Sequence, residues 1–581
     1  MAEEKLNAMT WRLSDPGMDL LERAGLAGLY MALQAARTAV VDLAPLQWND
    51  ADLTEDSVTV RWAGPAKPAF VKLMQWAWQV KNGVFYFPAV HDERDVWWKR
   101  EPMHNGLMKT YFQNPNVQPA MEAVTKIVQI EEDKTIQVRF KVPGERIEAP
   151  ELGVNKKGKP QTRTVPTAEL KPHRDTDEKL FDKHGEWQSK VVTLSNWVFP
   201  GAAPRYGNEE AWVGESKRGL LLMLTPTICL FQRLQGEGGN WCIVVPDIRD
   251  LDSYASTRKR MALDSNFTDV ASLGDAGLQF LADYSTRNAC KKMLAGCRVI
   301  AMGNVNYYQN QSIRKAVLDV SDRRNCVERY RILQQAFPNH FQRINREPKP
   351  QTDAKSKRAS KAPAKPASNV DEPQASGWYK LPTGRGRIAD NLVNGRSWYE
   401  NLFVPMPWDE KELEQQRKQS DKGSSTERVW FNALAYQRSK LMRLIKEDNM
   451  WDTEAEKFFA QAFWESLDSL YAQEAEATER GGSRTANERF EHLNEDIRRR
   501  LMQAKTRVLL RAALSELFAK AGRQKTFRTY TAAIWRLIDH PEHWQKGRDL
   551  SLVALASYRK RSVREGKEQE TESNNPNQPG A

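Results

Sequence analysis

Near the middle of the chain, the stretch "EPKPQTDAKSKRASKAPAKPASNVDEPQAS" (Glu347 to Ser376) is built from Pro, Lys, Ala and Ser. Almost no side chain in it can fill a core. Such a segment buries too little apolar surface to offset the entropy of ordering its backbone. Residues 347–376 therefore read as a flexible basic linker, and a chain of 581 residues, already too long for one hydrophobic core, divides there.

The two sides differ in periodicity. Before the linker, Val58, Val60 and Trp62 alternate, "GVFYFPAV" follows from Gly83, and Ile136, Val138, Phe140 and Val142 alternate after the turn "EEDK". "GLLLMLTPTICLFQRL" and "NWCIVVPDI" flank the turn "QGEGG" and predict a buried strand pair, while "CRVIAMGNVNYYQNQ" predicts a strand ending in a polar-aromatic loop. Residues 1–346 thus form an α+β region. After the linker and a connecting segment (377–428), the apolar spacing becomes helical. Four stripes predict a four-helix bundle over 429–566: Trp430 to Leu444, Phe459 to Leu470, Phe490 to Val508, and Phe527 to Leu537. Residues 567–581 read as a disordered tail. The expected fold class is an α+β N-terminal region followed by an all-α C-terminal helical bundle.

Charge and cysteine usage narrow the function. The formal net charge is +12, which favours an anionic partner, with nucleic acid first. Five cysteines, none spaced as CxxC, argue against a structural zinc site or a disulfide framework and point to a reducing, cytoplasmic setting. The segment "SDPGMDLLERAGLAGLYMAL" (Ser14 to Leu33) is interrupted by Asp19, Glu22 and Arg23, so it fits neither a membrane span nor a signal peptide. It predicts a buried helix capped by Ser14, in which Gly25 and Gly28 admit a second backbone at close range.

Catalytic patterns are sparse. "HDERD" (His91 to Asp95) contains the His-Asp pair of metal-dependent phosphohydrolases, but no second acidic-histidine helix follows His104. "QGEGGNW" lacks the Lys-Ser/Thr of a phosphate loop, and no nucleophile elbow, zincin or dinucleotide motif occurs. No cofactor and no metal site is expected. Candidates for binding are richer. "NKKGKPQTR" sets Lys156, Lys157 and Lys159 around Gly158, as phosphate contacts or as a solvated loop. "GNVNYYQNQ" gathers Asn304, Asn306, Tyr307, Gln309, Asn310 and Gln311, amides and a ring suited equally to base contacts and to strand-end turns. Along the third bundle stripe, Arg500, Arg507 and Arg511 border one side and Arg498 and Lys505 the other, with Arg523, Lys525 and Arg528 following. They form either a track for a nucleic-acid backbone or a set of side chains covering the bundle seam.

The helix "LLERAGLAGLYMAL", with "RAGLAGL" at Arg23 to Leu29, together with "GVFYFPAV", the long α+β region and the terminal helical bundle, resembles the large subunit of type I CRISPR-Cas surveillance complexes (Cascade), in their MYXAN-type subfamily. The resemblance implies a non-catalytic recognition subunit that binds double-stranded target DNA, senses the protospacer-adjacent motif (PAM) and aids strand opening. It implies partners as well: the displaced strand, crRNA held through other Cascade subunits, backbone and 5′-handle-binding subunits, and a small subunit like its own C-terminal bundle. A helicase-nuclease or a transposition module would act downstream. Two alternatives remain open at this point, a metal-dependent nuclease using His91 and Asp92, and a basic scaffold that binds RNA without a guide.

Overall fold

The computed structural model describes residues 6–92, 97–111, 120–132, 134–154, 158–166, 179–195, 210–235, 240–261, 268–288, 294–305, 308–344, 376–402, 438–480 and 485–558. Packing divides the chain into two units. The first comprises Met1–Ser321 with Asn339–Leu381, the second Asp322–Pro338 with Pro382–Ala581. The first is α+β and the second is helical, as the periodicities predict.

In the first unit, β1 (Asn7–Arg12) pairs with β3 (Ser57–Trp62), which also pairs with β2 (Leu46–Gln47). Between them, α1 (Leu20–Thr38) is buried along most of its length. Its N-cap is Asp19 and not Ser14. Residues before it turn around Gly17 (φ 74), and Asp15 accepts the Arg12 N–H at 2.8 Å, so the helix cannot start until the turn is complete. Asp19 and Glu22 then satisfy each other's backbone N–H groups as a capping box.

Gly25 and Gly28 are explained by the helix that follows the strand β10 (Glu210–Gly214). "GLLLMLTPTI" is not a strand but part of α4 (Ser216–Ile228), and only Leu230–Leu234 (β11) extends. A continuous apolar run of that length has no period that separates a buried strand from a buried helix. α4 lies along α1 so closely that a Cβ on Gly28 would stand 2.5 Å from the Leu224 carbonyl oxygen, and one on Gly25 still nearer that of Leu221. Thr225 Oγ1 crosses the contact and donates to the Leu21 carbonyl at 2.7 Å.

β11 pairs antiparallel with β12 (Trp241–Asp247) as expected, within a five-stranded sheet ordered β13-β11-β12-β14-β15. β13 is Asp269–Val270, β14 Gly296–Val305 and β15 Tyr308–Val320. A second five-stranded sheet contains β6 (Ala120–Glu131), β7 (Lys134–Glu148) and β8 (Thr162–Pro166), with β16 (His340–Ile344) and β17 (Ser376–Lys380). Ser376, expected at the end of the linker, opens that last strand. The preceding residues of the expected linker lie outside the described residues.

In the second unit, the described residues from 438 onward hold six α-helices where four stripes were expected. They are Arg438–Lys446, Glu454–Glu479, Ala486–Gln503, Arg507–Lys520, Lys525–Ile538 and Trp544–Ser557. The third stripe, from Phe490 to Val508, is cut at Ala504 because Thr506 caps a new helix by accepting from the Leu509 N–H. Val508 consequently stands 71% exposed. Trp430 and Leu434 lie outside the described residues.

A polar network ties the helical unit together. Tyr399 donates to Glu456 Oε1 at 2.8 Å and Ser397 to Asp452 Oδ2 at 2.7 Å, while Arg329 pairs with Asp452 at 2.6 Å. Burial raises the pKa of Glu456; for Asp452, burial is outweighed by its Arg329 and Ser397 bonds, which lower it.

Candidate nucleic-acid interface

Each cation of the C-terminal strip has its own surroundings, and they separate into two groups. Arg500 bridges Asp496 at 2.8 Å and Glu516 at 2.6 Å, joining the helix Ala486–Gln503 to Arg507–Lys520. Arg507 donates to the Asp539 carbonyl at 2.8 Å, at the C-terminal end of Lys525–Ile538, where a cation also complements the helix dipole. Arg511 pairs with the Asp539 carboxylate and lies over the Trp535 ring at 5.1 Å. Arg498 is half-buried, and burial lowers its pKa. These four act within the bundle.

The second group faces solvent. Lys505, Arg523, Lys525 and Arg528 are exposed and have no ion pair among the described residues. Arg528 reaches only the Gly522 carbonyl, at 3.3 Å. Lys505 and Arg523 sit in the short connections on either side of Arg507–Lys520, and Lys525 and Arg528 on the first turn of the helix Lys525–Ile538, with their side chains turned away from its buried face. Arg523 adopts φ 50, a left-handed residue after Gly522 (φ 80) in the turn "AGRQ". Sequence spacing joined all these cations into one strip because it took Phe490 to Val508 as one helix.

In the first unit, Val154 and Pro160 form an isolated bridge that closes the loop carrying Lys159, with Gly158 at φ 71. Lys159 is exposed, while Lys156 and Lys157 lie outside the described residues. The expected polar-aromatic loop is mostly strand: Asn304 pairs with Ser312 across β14 and β15, and Gln309, Asn310 and Gln311 lie in β15. Amide-rich sequence reads as a turn, but here the ladder extends through it to the hairpin tip. Asn306 and Tyr307 lie outside the described residues.

The histidines expected in a nuclease site are engaged in structure. His91 Nδ1 accepts the Phe87 N–H at 2.9 Å. Burial, then the nearby Arg258 and Arg100, holds its pKa well below the usual range, so it is neutral near two cations. His104, on α3 (Glu101–Thr110), accepts from the Phe85 N–H at Nδ1 (3.3 Å) and meets the Lys141 carbonyl at Nε2 (2.7 Å). That carbonyl can only accept, so the ring is the neutral Nε2–H tautomer, and burial holds its pKa at about 4. Among the described residues no group of His, Cys, Asp or Glu is arranged to hold a metal, and no helix is long and apolar enough to cross a membrane. Cys229, Cys242, Cys297 and Cys326 are buried free thiols, with burial raising the pKa of Cys229, Cys242 and Cys326.

Comparison with known proteins matches the two ends of the chain separately. The DevT N-terminal domain matches residues 10–145 and the DevT C-terminal domain residues 446–579. A protein of Myxococcus xanthus named CRISPR-associated protein Cas8a1/Csx13 is 24% identical, across 94% of this chain and 88% of its own length. The helix α1, with its "RAGLAGL" stretch, lies within the first match and the exposed cations of the helical unit within the second. The resemblance drawn from the sequence is borne out: over nearly its whole length this chain is similar to a CRISPR-associated protein named Cas8a1/Csx13, and both of its ends match DevT domains.

Proposed function

We propose that this chain is the large subunit of a crRNA-guided type I Cascade complex, binding target DNA, sensing its PAM and aiding strand opening without breaking bonds itself. The observation that carries the reading is the similarity to a protein named Cas8a1/Csx13 over 94% of the chain. The exposed cations support it. Lys505, Arg523, Lys525 and Arg528 present charge without an internal acid to neutralise it, which is what release of counterions from a phosphate backbone requires. The Asn304–Gln311 hairpin is the site proposed for PAM discrimination, and Lys159 with its neighbours Lys156 and Lys157 for further phosphate contact. Partners follow from the same reading: duplex target and displaced strand, crRNA through neighbouring subunits, and a downstream helicase-nuclease or transposition module.

The test is to purify the complex from cells carrying a repeat array and to measure duplex binding across a PAM library. A single discrete small RNA and PAM-dependent binding are expected. Heterogeneous RNA without PAM dependence would replace this reading with that of a guide-independent scaffold. DNA cleavage by the chain alone in magnesium or manganese, lost on His91→Ala, would replace it with a nuclease. Arg523→Ala/Lys525→Ala/Arg528→Ala should weaken binding to all sequences and reduce the salt slope by about 2.7, at ~0.9 per lost phosphate contact. An unchanged slope removes the three residues from the interface.

A further inference from the structure

The two units exchange elements along the chain. β15 ends at Val320 in the first unit, Asp322–Pro338 then belongs to the helical unit, and Asn339 returns the chain to the first. It stays there to Leu381 and leaves again at Pro382. A cut anywhere within residues 347–375 therefore yields two pieces, each of which has given an element to the other's unit. The N-terminal piece carries the helix Cys326–Ala336, which is built into the helical unit. The C-terminal piece carries β17, which is built into the first unit.

Both elements are held as core. On the helix, Cys326, Val327, Tyr330, Leu333 and Ala336 recur at helical spacing with Phe337 just beyond, and all six are buried, while Glu328 and Gln335 on the opposite side are exposed. Its polar anchors all lie C-terminal to the cut. Arg329 pairs with Asp452 at 2.6 Å and donates to the Trp451 carbonyl at 3.0 Å. Arg324, just before the helix, donates to the Gly395 carbonyl at 2.8 Å, and the buried Arg385 donates to the Phe337 carbonyl at 3.1 Å. The Arg329 and Asp452 side chains are only 13% and 19% exposed, so water screens their charge-assisted bond little. β17 gives the reciprocal hold. It pairs antiparallel with β16 from Ser376–Ile344 to Lys380–His340, and Gly377 pairs in parallel with Ile136 of β7, so the strand lies inside the sheet between β16 and β7. The Leu381 N–H that follows donates to Gln235 Oε1 at 3.3 Å.

From this we infer that the parts of the chain before and after residues 347–375 are binding partners of one another: cut in that segment, they stay together as a two-piece protein. The helical unit offers a groove whose occupant is Cys326–Ala336, and the first unit offers a strand position whose occupant is Ser376–Lys380. These are the helix-in-groove and strand-addition modes of peptide recognition, used here within one chain. The two holds lie in different units and are joined by the polypeptide, so the pieces part only when both open together, and each opening is reversed while the other hold persists. The segment between them contains Lys355, Lys357, Arg358 and Lys361, a dense target for trypsin-like proteases. Cleavage there leaves the cationic helical unit attached to the α+β unit. The inference is independent of the DNA-binding reading.

The test uses the full-length chain with an affinity tag at its N-terminus and the recognition sequence of a site-specific protease inserted between Lys361 and Ala362. The chain is immobilised through the tag and cleaved on the resin at physiological salt, and release of the C-terminal piece into the buffer is followed over time. The piece should stay bound through washing. Arg329→Lys keeps a cation beside Asp452 but gives up the bond to the Trp451 carbonyl, and should speed release about tenfold. Arg324→Ala, which loses only the exposed bond to Gly395, should speed it a few-fold while leaving the melting temperature of the uncut chain at the parent's, so an effect of this variant is not an effect of misfolding. Release of the parent's C-terminal piece within the first wash overturns the inference. Equal retention in the parent and both variants also overturns it, because the docked helix is then not what holds the pieces.

Discussion

Replacing Gly25 by alanine sets helix propensity against packing, and the structure says which prevails. In an isolated helix the change gains about 1 kcal/mol. Here the added Cβ would fall on the Leu221 carbonyl group of α4, which is backbone and has no rotamer by which to yield. The helices must separate, and overpacking of this kind costs about 1–3 kcal/mol. Separation by about an ångström also breaks the 2.7 Å bond from Thr225 to the Leu21 carbonyl, a buried acceptor worth roughly 1–3 kcal/mol when left unmet. The net expectation is a loss of about 3 kcal/mol for Gly25→Ala, and less for Gly28→Ala, whose Cβ would stand 2.5 Å from its nearest neighbour. Thermal unfolding followed by tryptophan fluorescence suits the question. The Trp76 indole donates to the Ala32 carbonyl on α1 and the Trp78 indole to the Met223 carbonyl on α4, each at 3.2 Å, so both report on this contact. A Gly25→Ala protein as stable as its parent, or stabilised by the propensity gain, would refute the account of these glycines.

Glu101 and His104 oppose one another in pH dependence. Burial lifts the Glu101 carboxyl to about 7, so the folded state holds a proton that the unfolded state releases, and stability falls as pH rises from about 4.5 to 7. Burial holds His104 at about 4, so there the unfolded state binds the extra proton, and stability rises between about pH 4 and 6.5. Glu101→Gln should therefore match the parent near pH 4.5 and exceed it by ~3 kcal/mol above pH 7; a difference that is constant with pH in urea unfolding would refute this. Tyr399→Phe should cost about 1–3 kcal/mol in the helical unit, because the buried Glu456 oxygen loses its 2.8 Å donor, and an unchanged melting temperature would show that oxygen finding another partner. Arg511→Ala should lower the helical unit's melting temperature while leaving the DNA salt slope near the parent's, the reverse of Arg523→Ala/Lys525→Ala/Arg528→Ala; a slope change equal to that of the triple variant would place Arg511 on the DNA.

The amino-acid order alone determined a good deal. It separated an α+β part from a helical part, because alternation at period two and stripes at period 3.6 are local properties of the chain. It placed β3, β7 and β12, and it marked Gly25 and Gly28 as a site of close approach. It named the cations of the helical unit and their total charge. Only the tertiary structure decided what faces them. The partner of the glycines is α4, hidden in an apolar run that a strand and a buried helix write alike. Arg500 and Arg523 look equivalent as letters, but Asp496 and Glu516 neutralise the first and no described acid reaches the second. Local order dictates backbone periodicity, but whether a charge is satisfied depends on groups brought near from elsewhere in the chain, and that is settled only by packing.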